Sequence, residues 1–331
     1  MGISLQDLFT ALVSKKIVAS SAKLVTFQPG LGDDEFNDGD VLYFPKKDKK
    51  FLTSVLEGDK TFFIIYVFSP HTRWFGDYSR RIKEIVAVRG RMISGDHKQS
   101  CPYEHVIAHI GDNPNAPHIS MTVLESADRG PLHSLSVHES QRRSCVKYFE
   151  QNNTNLPLTT KRARGETSSS QGVIKMNTGA TGEQVVQTDP ELYSLLDKVY
   201  NFNFDPCPLD PQWDGLTCQW GSCNYVNPPY KFIFPWVFKA IHEANTRGAT
   251  SVFLIPASVS THSFKYAMES GCVDHILFLN HFIRFASHEG KFSRPVMIMA
   301  IKPNISLLPP RVIFDTLSAE VLQKVNIAGR D

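Results

Sequence analysis

The chain has 331 residues, 42% of them apolar and 21% charged, with a formal net charge of +2. These proportions fit a globular protein with room for two domains and exclude a low-complexity or strongly charged disordered chain. No run reaches the roughly 18 apolar residues of a membrane span. The opening "MGISLQDLFTALVSKK" lacks the charged n-region of a secretory leader, so no membrane association and an intracellular location are expected.

"SLQDLFTALVSKKIV" predicts a first helix, with Ser4 as its cap and Leu5, Leu8, Phe9 and Leu12 on one face. The runs "KTFFIIYVFS", "KEIVAVRGRMI", "EHVIAHIG" and "HISMTVLE" are rich in β-branched and aromatic residues and are separated by Gly, Pro, Asn and Asp. They predict a separate β-rich α+β domain over 1–151. No catalytic motif stands out in it. Between Arg73 and Lys98, seven basic residues stand against three acidic ones, which suits either a phosphate contact or a solvated face of mixed charge. Cys101, His105, His109 and His118 could collect a metal, but their spacing matches no common zinc pattern, and partly buried histidines are the plainer reading. Six cysteines, at 101, 145, 207, 218, 223 and 272, are few for this length. Free thiols are expected, with Cys218 and Cys223 buried rather than paired on zinc.

The composition changes near "NNTNLPLTTKRARGETSSSQG", which is polar and without apolar period, so a flexible linker is expected over 152–182. "KRARG" within it resembles a short nuclear-import or phosphate-binding patch. It leans towards a nuclear location in a eukaryotic host; a bacterial or viral enzyme would be cytoplasmic.

Strands and helices then alternate. "DPELYSLLDKVY" predicts a helix capped by Asp189 with Pro190 in its first turn. "FNFDPCP" and "CNYVNPPY" read as short strands that stop at proline. "FPWVFKAIHEANTRG" is an amphipathic helix stopped by Gly248. "ATSVFLIPAS" is a strand suited to burial on both faces, and "THSFKYAMESG" a helix capped by Thr261. "VDHILFLNHFIRFAS" and "RPVMIMAIKP" read as a late antiparallel pair. The alternation predicts a mainly parallel sheet over 183–303, with a tail and a short helix over 304–331. In such sheets ligands bind outside the carboxyl ends of the strands. "DPCP" and "NPPY" both stand at such ends.

The residues of "NPPY" carry a chemistry. The lone pair of an exocyclic amine on an aromatic base is delocalised into the ring, which makes it a poor nucleophile. Two acceptors for its two N–H bonds favour a more tetrahedral nitrogen that can attack. The Asn227 amide oxygen and the Pro228 carbonyl can form that pair, Pro228 and Pro229 hold the backbone rigid, and Tyr230 can stack on the base. A base within a duplex must first be flipped out. A planar protein amide poses the same problem, so an RNA adenine or a protein glutamine is a rival acceptor. A non-catalytic binding module that has kept the fold is a further rival.

The segment from about Gln187 to Pro303 resembles the phage-type, Dam-like DNA N6-adenine methyltransferases. The resemblance rests on an ordered set: "TDP" at 188–190, "FDPCP" at 204–208, "DGL" at 214–216, Trp220, "NPPY" at 227–230 and Trp236. It continues with "RGATSVFLIPAS" at 247–258, "IRF" at 283–285 and "RPVMIM" at 294–299. It implies a Rossmann-like fold that uses S-adenosylmethionine to methylate adenine in DNA. Asn227, Pro228, Pro229 and Tyr230 would be catalytic, with Tyr230 stacked on the adenine. Thr188, Pro190, Asp205, Pro206 and Cys207 would line the donor pocket, with Asp205 the partner of the donor's amino group and Asp214 a weaker candidate there. Arg284 could contact phosphate, and no metal is needed. Pro208 departs from the family's usual Ala. Trp220 and Trp236 are expected to pack rather than touch the base. The resemblance leaves 1–151 unmatched; that region is expected to grip or select DNA or to tether a partner.

Overall fold

The computed structural model describes residues 3–26, 35–44, 53, 55–89, 92, 104–125, 188–208, 213–283, 294–303 and 310–327. Cys101, Arg91, Lys98, Cys145, Arg284 and the segment 152–182 lie outside the described residues.

Among the described residues, eleven strands form one mixed sheet. In chain order they are β1 (Leu24–Thr26), β2 (Val41–Tyr43), β3 (Phe62–Val67), β4 (Ile82–Arg89), β5 (His105–Ile110), β6 (Ile119–Glu125), β7 (Cys223–Val226), β8 (Thr250–Pro256), β9 (Val273–Leu279), β10 (Val296–Ile301) and β11 (Arg311–Asp315). Their order across the sheet is β1-β2-β3-β5-β4-β6-β11-β9-β10-β8-β7. The N-terminal strands therefore form no sheet of their own. β6 pairs antiparallel with β11 through Arg311–Ser120 and Val312–Ile119 and joins the two halves. The segment expected as a tail after 303 supplies β11, which lies parallel to β9. In the C-terminal half, β7 and β8 run parallel, and β10 runs antiparallel between β8 and β9. The chain is thus mixed α/β with one large mixed sheet, in which β10 runs antiparallel to both of its neighbours.

The helices are α1 (Leu5–Ser14), a short α2 (Trp74–Asp77), α3 (Pro190–Tyr200), α4 (Ile233–Arg247), α5 (His262–Glu269) and α6 (Ala319–Ile327). Their ends follow the capping chemistry of the sequence. The Ser4 hydroxyl accepts from the Asp7 amide, Asp189 from that of Glu191, and Thr261 from that of Phe264. Gly248 closes α4 at φ +70°, a left-handed turn that suits glycine.

Three cores result. Leu8 and Leu12 of α1 pack with Val41, Ile65 and Val86 on one face of the N-terminal half. Leu192 and Leu196 of α3, with Leu322 of α6, pack with Leu254, Leu277 and Ile298 on one face of the C-terminal half. The third core is shared by the remaining faces of both halves. Its contact between the halves is aromatic: Phe68 lies 5.1 Å from Phe278, and Phe75 stacks on Phe314 at 4.7 Å. Each buried phenyl stabilises by roughly 1.5–3 kcal/mol relative to exposure. The approach of α2 to β11 is close enough to require Gly76, since a Cβ there would sit 2.4 Å from the Phe314 carbonyl oxygen.

At the amino end of β9, Asp274 accepts from Lys302 and Arg311, each at 3.0 Å, and from the buried His275 ring at 2.6 Å. The other ring nitrogen of His275 lies 2.7 Å from the Tyr200 hydroxyl. Burial works to raise the Asp274 carboxyl, but the His275 hydrogen bond and Lys302 prevail and hold it well below the usual carboxylate range. Burial lowers His275, which favours a neutral ring that donates through Nδ1 and accepts from Tyr200.

Candidate active site

Phe204 bridges Asn224 in parallel on the outer side of β7. The expected strand at "FNFDPCP" is thus a single bridge, which sets Phe204 beside β7 so that Asp205 and Asn227 leave at the same end. Pro228 and Pro229 follow, and neither can donate to a ladder. Tyr230 opens a turn over Tyr230–Phe232, in which the Phe232 amide donates to the Pro229 carbonyl at 3.0 Å. That turn leads straight into α4.

Thr188, just before the cap of α3, reaches across to this end. Asn227 Nδ2 donates to the Thr188 Oγ1 at 3.0 Å, and the same oxygen lies 2.5 Å from the Tyr225 hydroxyl. An amide held by its nitrogen turns its oxygen the opposite way, so Thr188 fixes which face Asn227 Oδ1 presents. The resemblance implies a place in the donor pocket for Thr188; its hydroxyl lies on the amide of Asn227. Pro190 stands at the first turn of α3, two residues after Thr188.

The Asp205 carboxylate accepts from the Cys207 amide at 2.7 Å, which folds the Asp-Pro-Cys turn. Burial pushes the Asp205 carboxyl up to about 6, with the Cys207 amide opposing. A half-buried carboxyl raised in this way gains from an arriving cation. Burial, with Asp205 and Cys218 adding, raises the Cys207 thiol well above its ordinary value and leaves it protonated and unreactive.

Asp214 caps its own turn, accepting from the Leu216 amide at 2.9 Å. The next residue, Gly215, ties that turn to the site: a Cβ there would sit 2.0 Å from the Pro206 carbonyl oxygen and 2.7 Å from the Trp236 ring. Trp220 is fully buried and donates to the Gly215 carbonyl, and its ring lies 6.3 Å from that of Trp236. Both tryptophans pack, as expected. Cys218 and Cys223 donate to the carbonyls of Gly215 and Tyr200. Among the described residues no group of three or more His, Cys, Asp or Glu could hold a metal. His109 instead stacks on Phe63 at 4.4 Å. From the basic stretch, Arg81 pairs with Asp112 at 2.9 Å and donates to the Gly58 and Lys60 carbonyls.

Beyond Tyr230 lies a cavity of about 580 Å³ between the end of β8, the start of β10 and the first turns of α4 and α5. Tyr230, Phe232, His262, Arg294 and Met297 line it. Phe232 is 50% exposed, unusual for a phenyl group, and His262 stacks on Phe234 at 4.5 Å. Sequence reasoning named none of these but Tyr230. An aromatic cluster in the helix starts that follow "NPPY" and "PAS" was the available signal. Burial raises the Tyr230 phenol well above its ordinary value, so it stays protonated.

Residues 177–319 match the family model described as DNA N-6-adenine-methyltransferase (Dam). The match covers every site residue described above and supports a DNA adenine methyltransferase in general. It leaves the N-terminal half unmatched. No curated protein and no solved structure matches the chain. Among the described residues no helix is long and apolar enough to cross a membrane.

Proposed function

We propose that the C-terminal half transfers a methyl group from S-adenosylmethionine to the exocyclic N6 of an adenine flipped out of DNA. The observation that carries this reading is the joining of three sequence-distant groups at one end of the sheet: Thr188 bonded to Asn227, and Asp205 beside them. The residues fit the donor. Asp205 is a carboxyl raised by burial, and a cationic amino group is the partner that restores its charge. The turn held by Pro206 and Gly215 closes the same corner, with Cys207 and Asp214 in its backbone.

S-adenosylmethionine supplies an electrophilic methyl on a sulfonium. The protein prepares the nucleophile. Asn227 Oδ1 and the Pro228 carbonyl accept the two N–H bonds of the adenine amine, which localises the nitrogen lone pair. Pro228 and Pro229 keep the carbonyl from turning away. Tyr230 offers its ring as a stacking face and holds the base against the strand end. After transfer the amine nitrogen carries a positive charge and loses a proton to solvent. The N–C bond formed matches the S–C bond broken, and no covalent enzyme intermediate is required. Arg284 is the proposed phosphate contact.

The test is methyl transfer from labelled donor to unmethylated DNA, RNA and protein, followed by digestion of the DNA to nucleosides. Label in N6-methyladenine is the expected result. Label confined to RNA, or to a protein glutamine, would overturn the choice of acceptor. Donor binding with no transfer to any of them would favour the binding-module reading.

A further inference from the structure

The two halves of the sheet have the same plan. From the outer edge inward, the N-terminal half runs β1-β2-β3-β5-β4-β6, and the C-terminal half runs Phe204 segment-β7-β8-β10-β9-β11. Relative directions agree at every step: parallel, parallel, antiparallel, antiparallel, parallel. A capped helix opens each half, α1 after Ser4 and α3 after Asp189, and each covers the outer face of its own half.

The register agrees to the residue. The Phe68 amide donates to the Glu104 carbonyl just as the Ala257 amide donates to that of Pro295. In both halves the fourth and fifth strands share one irregularity. Ile82–Ile110 is followed by Glu84–His109, and Val273–Ile301 by His275–Ala300. The matched positions keep a constant spacing through to the last strand (273 − 82, 301 − 110 and 311 − 120 are all 191). After the third strand both halves make the same turn: Thr72 Oγ1 donates to the Ser69 carbonyl at 2.8 Å, and Thr261 Oγ1 to that of Ser258 at 2.9 Å. Three residues further on, Phe75 and Phe264 are both buried.

The halves dock as the subunits of a two-fold dimer would. Ser120 and Arg311 are each other's counterparts, and they face each other at the seam. The helix after β3 packs on β11, and the helix after β8 packs on β6. Such reciprocity is the mark of an isologous interface. Among the described residues, however, three of the site's polar groups have apolar counterparts, and Asn227 has a tyrosine. The Val41 amide donates to the Lys23 carbonyl as the Tyr225 amide does to that of Phe204. Leu24 then stands for Asp205, Val41 for Tyr225 and Tyr43 for Asn227, while Ile3, next to the helix cap, stands for Thr188.

We propose that residues 3–125 are a second, chemically emptied copy of the catalytic fold, docked on the first as a built-in partner subunit that sets the loop after β8 through Glu104. Glu104 Oε2 accepts from the Val259 amide at 2.9 Å, and Oε1 from the Ser260 hydroxyl at 2.7 Å. Ser258, Thr261 and His262 of that same stretch line the cavity beside Tyr230. The contact runs one way, because the counterpart of Glu104 is Pro295, which has no acceptor side chain. Glu104 is thus a positioning residue: it touches no substrate and acts through the cavity wall. Its effect on catalysis rests on the methyl-transfer reading; the existence of the copy does not.

The experiment uses the full chain with Glu104→Gln, Glu104→Ala and Ser260→Ala, together with a protease site inserted between residues 150 and 176. Expected are faster hydrogen exchange over 257–262 in the Glu104 variants and a kcat about 10-fold lower or more, of the order that misplacement around a site produces. The melting temperature should stay near that of the parent in Glu104→Gln and Ser260→Ala, which keeps the test intact even where Glu104→Ala folds poorly. After cleavage at the inserted site, the two halves should co-elute. Unchanged exchange over 257–262 overturns the role of Glu104, and separation of the cleaved halves overturns the built-in partner. A parent protein that transfers no methyl to any acceptor defeats the methyl-transfer reading alone, since exchange and co-elution need no activity.

Discussion

The carboxyl end of β7 and the matching end of β2 share a backbone plan and differ in what stands on it. At the first, Asn227, Tyr225 and Thr188 are tied by hydrogen bonds, and Asp205 follows the Phe204 bridge beside them. At the second stand Tyr43, Val41, Ile3 and Leu24, with Ile3 and Val41 fully buried in an apolar core. One backbone therefore supports either chemistry or packing. The first end keeps a half-buried carboxyl that burial raises out of its usual range. Among the described residues, the matching positions Leu24, Val41 and Ile3 carry no carboxyl.

The largest effect that tests this contrast is on catalysis. Asn227→Ala removes one of the two acceptors and should lower kcat by about 10²–10³, as loss of a positioned polar group at a reacting centre does. Tyr43→Phe at the matching position should leave transfer within about twofold, because the sites are distant and independent. Labelled-methyl assays on both variants decide it; a large loss from Tyr43→Phe would mean that the second end is not empty.

Next comes the docking of the halves. Gly76→Ala places a methyl against the Phe314 carbonyl and should cost about 1–3 kcal/mol in urea unfolding, the usual range for overpacking. An unchanged midpoint would show that α2 does not hold the halves together.

The smallest effect concerns Asp205. Its folded value of about 6 lies above the roughly 3.9 of an unfolded aspartate, so the folded state binds the proton more tightly. Stability therefore falls as pH rises from about 4 to about 6, and the whole cost is present above that window. Asp205→Asn should gain about 1–2 kcal/mol at pH 7.5, allowing for partial solvent screening, and nothing at pH 4. The same variant should bind S-adenosylmethionine more weakly in calorimetry. A variant that loses stability at pH 7.5 would show that the carboxylate already has a cationic partner.

Much of the catalytic half was legible in the sequence because its signals are local. The caps at Asp189 and Thr261, the stop at Gly248 and the prolines after Asp205 and Asn227 each act within a few residues. The candidate site was legible as two strand ends, but not as the Thr188–Asn227 bond, which spans 39 residues of chain. β11 was missed because its place depends on pairing with β9 and β6, and nothing in "RVIFD" names those partners. The repeat was missed for a related reason. The residues that announce the fold in one half are replaced by apolar ones in the other, so only backbone pairing preserves the likeness. A trace at residue level is Ser-x-x-Thr-x-x-Phe, at 69–75 and again at 258–264.

The seam between the halves has one further consequence. Its ladder consists of two residue pairs, Arg311–Ser120 and Val312–Ile119. Two free chains meeting over so short a ladder would assemble according to their abundance and come apart on dilution. On a single chain each half sees the other at an effective concentration on the order of millimolar, whatever the number of molecules present. The ratio of the two halves is fixed at synthesis.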